Sequence, residues 1–226
     1  MTTAPTSLEP RREHRPSHWA LIAVLAFLLS GLVVALLYQF DVLGGSPSST
    51  SATRGSGVPA TQTRHVSAFQ SIELAGGNNL VIHVGEKQSV VVKADDNLLR
   101  RVTTRVESGQ LVIGNTPGNL TTKSPMSVVI TVPTLSALTL AGGGNVVVTG
   151  IKAENLTVVL FGGGNVTGSG TARSLSVTLS GSGTIQVTAT KTLDASVPGS
   201  GTITYSGSPH EVTKNVSGSG AITGSE

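Results

Sequence analysis

Residues 156–185, LTVVLFGGGNVTGSGTARSLSVTLSGSGTI, hold the same unit twice over: an apolar strand, a glycine-bounded tripeptide and a second apolar strand. The tripeptide recurs as Gly142-Gly143-Gly144, Gly162-Gly163-Gly164, Gly181-Ser182-Gly183, Gly199-Ser200-Gly201 and Gly218-Ser219-Gly220, about nineteen residues apart. A strand-turn-strand unit of this size cannot bury its own apolar side chains, whereas copies stacked on one another share a continuous core. The period therefore predicts an all-β solenoid of about 19-residue coils.

Alignment on the first glycine gives a register. Two positions before it stand Leu140, Leu160, Leu179, Val197 and Val216; six before it, from the second copy on, stand Leu156, Leu175, Leu193 and Val212; four after it stand Val146, Val166, Ile185, Ile203 and Ile222. Aliphatic positions two apart have the strand period and predict like-on-like stacking in the core. The intervening columns are mostly polar and face water: Thr139, Val159, Thr178, Ser196 and Asn215 on one side of the turn, and Val147, Thr167, Gln186, Thr204 and Thr223 on the other. A tight bend needs positive φ or close backbone approach, so Gly144, Gly164, Gly183, Gly201 and Gly220 are expected to be the least replaceable turn positions. Disordered Gly-Ser linkers lack such aliphatic columns.

Upstream, Phe69 to Asn115 carries similar chemistry less regularly, with strands over Leu80–Val84, Val90–Val92, Val102–Val106 and Leu111–Ile113. The stretch Ala94-Asp95-Asp96-Asn97-Leu98-Leu99 breaks the pattern with turn formers and suits one short helical turn. Val128–Val132 leads into the regular array, after a loop bracketed by Pro117 and Pro125.

The N-terminus differs. Ala20 to Leu37 is an almost unbroken apolar run flanked by Trp19 and Tyr38, about long enough to cross a hydrocarbon core. Arg11, Arg12 and Arg15 precede it, so the positive-inside rule puts the N-terminus in the cytoplasm. A cleaved signal peptide is the alternative; the length of the run and the lack of a clear Ala-x-Ala site favour an uncleaved anchor. The expected organisation is a cytoplasmic tail (1–18), a transmembrane helix (19–40), a flexible Ser/Thr/Gly/Pro linker (41–63) and an extracytoplasmic domain (64–226). The expected location is the cytoplasmic (inner) membrane, single-pass, with the domain in the periplasm or outside the cell.

Composition narrows the function. The 226 residues carry 15 Lys and Arg against 12 Asp and Glu, a formal charge of +3, and no cysteine. Disulfides and thiol lipidation are excluded, and the thinly spread charge is no nucleic-acid footprint. Polysaccharide-cleaving chemistry needs converging carboxylates or acidic metal ligands with a proton-transferring partner. Asp95 and Asp96 with Arg100 and Arg101 are the only plausible core for it, and no His/Asp/Glu set has metal-site spacing. A nucleophile elbow, a dinucleotide fingerprint and a phosphate loop are absent. Not an enzyme, no cofactor and no metal is the resulting expectation. The positive feature is the ladder Thr167, Gln186, Thr204 and Thr223, a hydroxyl-rich face suited to an extended polymer such as a glycan, although β-branched polar residues also simply suit exposed strands. Val159 and Phe161 are expected to add a small apolar patch beside it.

Phe69-x-x-Ile72, Ala94-Asp95-Asp96-Asn97-Leu98-Leu99, Gly109-Gln110-Leu111-Val112-Ile113 and the serial Leu-x-x-Ser-Gly-Ser-Gly and Gly-Gly-Gly-Asn units together resemble the autotransporter adhesin head GIN domain family, from about Val66 to the C-terminus. The resemblance implies a right-handed parallel β-helix in the bacterial envelope and carries over no catalytic residue. It departs from an autotransporter in having no membrane β-barrel after the last coil. The reading is thus a non-enzymatic, membrane-anchored, adhesion-like protein whose partners are a glycan, a lipid headgroup or an envelope protein. An assembly role, with a homo-oligomer formed through the open C-terminal edge, is the alternative, and a polysaccharide-active enzyme a more distant one.

Overall fold

The computed structural model describes residues 52–85 and 87–225. Its elements are β1 (Thr53–Arg54), β2 (Pro59–Thr63), β3 (Ser71–Ala75), β4 (Asn79–Val84), β5 (Ser89–Asp95), a 3-10 turn (Leu99–Arg101), β6 (Val102–Glu107), β7 (Gln110–Asn115), β8 (Leu120–Thr121), β9 (Ser127–Val132), β10 (Ala137–Ala141), β11 (Asn145–Gly162), β12 (Asn165–Gly181), β13 (Thr184–Val197), β14 (Thr202–Ser206), β15 (Glu211–Val216) and β16 (Ala221–Ser225). β1 and β8 form a two-stranded sheet, and the other fourteen strands form one sheet.

The long strands show how that sheet is shaped. Val146, Val148, Ile151, Leu156, Val158 and Leu160 all lie on β11, and all are buried in the same core cluster. One strand can do this only by bending around the core, and β12 and β13 follow the bend with register shifts at it, returning to parallel pairing on either side. The sheet is thus a curled, open half-barrel whose strand path runs from β16 to β6 without closing.

The repeat columns lie where the sequence register puts them. Val146, Val166, Ile185, Ile203 and Ile222 are successive parallel partners, as are Leu156, Leu175, Leu193 and Val212. Fully burying each Leu or Ile contributes about 1.5–3 kcal/mol.

The fold class nevertheless needs correction: the described residues form a curled open sheet of mixed strand direction, not a right-handed parallel β-helix solenoid. β2 pairs antiparallel with β5, β5 with β9, and β6 with β7. The cause is local. Ser108 (φ 49°) and Gly109 (φ 77°) form a two-residue loop of the kind that folds a chain straight back on itself. Before Ala137 the corner occurs at Gly76-Gly77-Asn78, stacked beneath Gly142 and Gly144, and there β3 and β4 do join the array in parallel.

No helix among the described residues is long and apolar enough to cross a membrane. The expected helix over 19–40, with Ala20–Leu37 at its centre, lies outside the described residues, as does the tail 1–18. The single-pass inner-membrane location is therefore withdrawn. The expected linker is corrected at its C-terminal end, where Thr53–Arg54 and Pro59–Thr63 are strands held by partners far away in sequence.

Candidate functional site

Strand register brings the expected ladder together. Val147, Thr167, Gln186, Thr204 and Thr223 are consecutive partners on β11, β12, β13, β14 and β16, pointing away from the core. Thr167, Gln186 and Thr223 are exposed and Thr204 is half-buried. The hydroxyls of Thr204 and Thr223 lie 3.4 Å apart, close enough to exchange a hydrogen bond. Two positions earlier, the Asn165 amide donates to Asn145 Oδ1 at 2.9 Å and the Asn145 amide to Asn79 Oδ1 at 3.2 Å. The result is a face of stacked hydroxyls and carboxamides able to donate and accept along its length. At its apolar end Val147 and Phe161 are exposed, whereas Val159, expected to join them, is buried.

The third glycine of each corner beside this face is required by close approach, while Gly142 (φ 149°) and Gly162 (φ 129°) open the first two corners with positive φ. A methyl group on Gly164 would overlap the carbonyl oxygen of Gly144, one on Gly183 that of Gly164, one on Gly201 that of Gly183 and one on Gly220 that of Gly201; Gly144 is pressed likewise against Asn78 O. The adjacent core leucine closes the other side, Leu140 for Gly164 and Leu160 for Gly183. The middle position is free: an added Cβ at Gly143 or Gly163 meets nothing within 4 Å. This is why Ser182, Ser200 and Ser219 replace glycine there and nowhere else in the tripeptide.

Asp95, Asp96, Arg100 and Arg101 are brought close in the chain but do not converge on a cleft. Asp95 is fully buried. Its Oδ2 accepts from Lys123 N (2.9 Å) and Ser124 N (3.3 Å), and its Oδ1 from Ser124 Oγ (2.8 Å) and Gly57 N (3.0 Å). The Lys123 amide is the main cause that holds its carboxyl below the ordinary value, against the opposing effect of burial. A carboxylate so saturated is a poor proton acceptor. Arg101 donates to Pro117 O at 2.8 Å, and Arg105 pairs with Glu107 at 2.6 Å. Glu73 lies in an outward column beside Val112 and Thr139; burial pushes its carboxyl up, while Arg105 lowers it and Glu107 raises it further. Among the described residues no group of three or more His, Cys, Asp or Glu could hold a metal ion.

Two arrangements escaped sequence reasoning. Asn78, buried, and Asn115 exchange reciprocal amide hydrogen bonds at 3.1 and 3.4 Å. Asp95-Asp96-Asn97 binds the segment around Ser56. The only signal for the second was that Gly55-Ser56-Gly57 copies the repeat tripeptide outside the array.

Among the described residues the curled sheet carries a regular polar ladder on its outer face, which defines a repetitive β-scaffold. The chain belongs to the family described as "putative auto-transporter adhesin, head GIN domain", which matches residues 68–185 and 170–209. Solved structures resemble it. A putative adhesin from Bacteroides fragilis has 21% identity and a TM-score of 0.57, covering 77% of this chain and all of that one. A putative lipid binding protein from Parabacteroides distasonis has 21% identity and a TM-score of 0.44, covering 78% of this chain and all of that one. A putative cell adhesion protein from Clostridium sporogenes has 14% identity and a TM-score of 0.42, covering 74% of this chain and 98% of that one. At these identities the first establishes a shared fold and nothing about ligands. No curated protein matches the chain.

Proposed function

We propose that the protein is a non-enzymatic binding protein that adheres to an extended, hydrogen-bonding polymer, a glycan foremost, along the ladder Thr167–Gln186–Thr204–Thr223. The observation that carries this reading is the unbroken register of that ladder on adjacent parallel strands. Its uncharged side chains, all exposed but the half-buried Thr204, offer one donor-acceptor group per strand. The adhesin description of the family agrees with it, and the saturated state of Asp95 removes the best candidate for hydrolytic chemistry.

The test is a glycan and lipid-vesicle array probed with the full chain beside a Thr167→Lys, Gln186→Lys, Thr204→Lys variant of unchanged thermal stability. Binding to a polymer that the variant loses supports the ladder. Equal binding by both chains rejects it.

A second reading, assembly through the C-terminal edge, is favoured by Val212 and Val216. They are 41% and 43% exposed in columns whose earlier members, Leu193 and Val197, are buried. Lys214 stands between them, its ammonium 4.8 Å from the Tyr205 ring centroid, and an inward-facing charge on an edge strand opposes unguarded pairing. Sedimentation that stays monomeric at high concentration would reject assembly through this edge.

A further inference from the structure

Residues 53–58 lie across the end of β5 as a strap, and several polar groups of this stretch are read by residues far away in sequence. Thr53 N donates to Asn119 O (2.9 Å) and Gly55 N to Thr121 O (2.7 Å). Arg54 O accepts from Asn97 Nδ2 (2.8 Å), and Ser56 N donates to Asn97 Oδ1 (3.0 Å). The Ser56 hydroxyl donates to Asp96 Oδ1, Gly57 N to Asp95 Oδ1 (3.0 Å), and Asp96 N to Val58 O (2.9 Å).

The contacts also select residue type. A Cβ on Gly55 would collide with the Asp95 carboxylate, so that position takes glycine alone. Gly57 sits at φ +87°, which side chains disfavour. Ser56 between them uses both its amide and its hydroxyl. Very little apolar burial contributes, since Val58 is 56% exposed. Three consecutive residues, Asp95, Asp96 and Asn97, thus read a Gly-Ser-Gly sequence through polar atoms, with Lys123 and Ser124 fixing the buried carboxylate from behind.

We propose that Asp95, Asp96 and Asn97, backed by Lys123 and Ser124, form a peptide-binding seat specific for a Gly-Ser-Gly segment bent at its second glycine. Residues 54–58 fill it in cis, and the same segment of a second copy of the chain enters when the strap is displaced. The seat is independent of the polar ladder and needs no polymer ligand. Its affinity resides in directional hydrogen bonds rather than buried surface, which makes the occupant exchangeable.

The experiment uses the full chain carrying Gly55→Ala, which empties the seat, and a fluorescent synthetic peptide of residues 53–63 followed by anisotropy. The peptide is expected to bind the variant at least roughly tenfold more tightly than the wild-type chain, and a peptide with Ala in place of Gly55 is expected to lose that binding. Equal binding to both chains, or binding to neither, overturns the proposal. If the Gly55→Ala chain does not fold, Thr61→Cys with Lys93→Cys in an otherwise wild-type, cysteine-free chain decides it, because these exposed residues are partners on β2 and β5. Disulfide-linked dimers that increase with protein concentration during refolding support exchange. Closure within single chains at every concentration rejects it.

Discussion

The strands before Ala137 and the array after it bury the same kinds of side chain in one core, yet neighbouring segments are fixed in different ways. In the array, backbone meets backbone: each corner glycine lies against the carbonyl of the previous corner, and position in the repeat dictates position in space. Upstream, side chains do the joining, with Asp95, Asp96 and Asn97 reaching residues about forty positions away and Asn78 pairing with Asn115. Backbone contact is indifferent to sequence except where it demands glycine. Side-chain joining needs particular residues at single places. The array should therefore fail by steric exclusion and the upstream part by loss of charge or of a donor.

The largest effect separates positions within one corner. Gly183→Ala should cost about 1–3 kcal/mol or more in urea denaturation, because its methyl group has no room. Gly163→Ala should change stability by no more than about 0.5 kcal/mol, because its methyl group meets open space. Equal costs at the two sites would break the account of the corner.

Next, two members of one column should behave differently. Val197→Thr puts a hydroxyl in the core and should cost about 1–3 kcal/mol, while Val216→Thr, one strand further out, should fall within about 0.5 kcal/mol.

The third test concerns the upstream part. Asp95 binds its proton less readily folded than unfolded, so its stabilisation is complete above the ordinary carboxylate pKa and is lost as pH falls through the depressed value. Asp95→Asn should remove that component of acid sensitivity and speed hydrogen exchange at the Gly57 amide. Unchanged exchange there would show that the strap does not depend on the carboxylate.

Smallest is Glu73, of opposite sign. Its raised pKa makes the folded state bind the proton more readily, so stability declines as pH rises through the raised value, moderated by Arg105. Glu73→Gln should flatten the stability profile on that side without lowering stability at neutral pH.

The array was legible because its information is periodic. Columns such as Leu156–Leu175–Leu193 and Thr167–Gln186–Thr204 follow from counting, and strand pairing confirms them residue by residue. Counting could not reveal where periodicity stops governing direction. The hairpin at Ser108-Gly109 turns on two positive φ values, and a Ser-Gly pair in a chain full of them carries no distinctive mark. Residues 53–63 read as linker because they supply little apolar surface; what orders them belongs to other segments, chiefly Asn97 and Asp95. The same blindness made Asp95 and Asp96 look like candidates for catalysis, since composition shows a carboxylate but not the amides that saturate it. For the ladder, sequence predicted the alignment and the outward direction, and the half-burial of Thr204 came from the fold.

A row of side chains on parallel strands also has a pitch. Successive rungs lie about 4.8 Å apart, so four rungs span about 14 Å. A polymer whose own repeat differs by about 1 Å is displaced by about 3 Å at the fourth rung, a full hydrogen-bond length. For the polymer proposed above, the face of Thr167, Gln186, Thr204 and Thr223 would consequently act as a gauge. It would reject a chain of the right chemistry and the wrong stride, more strictly the more rungs the ligand used.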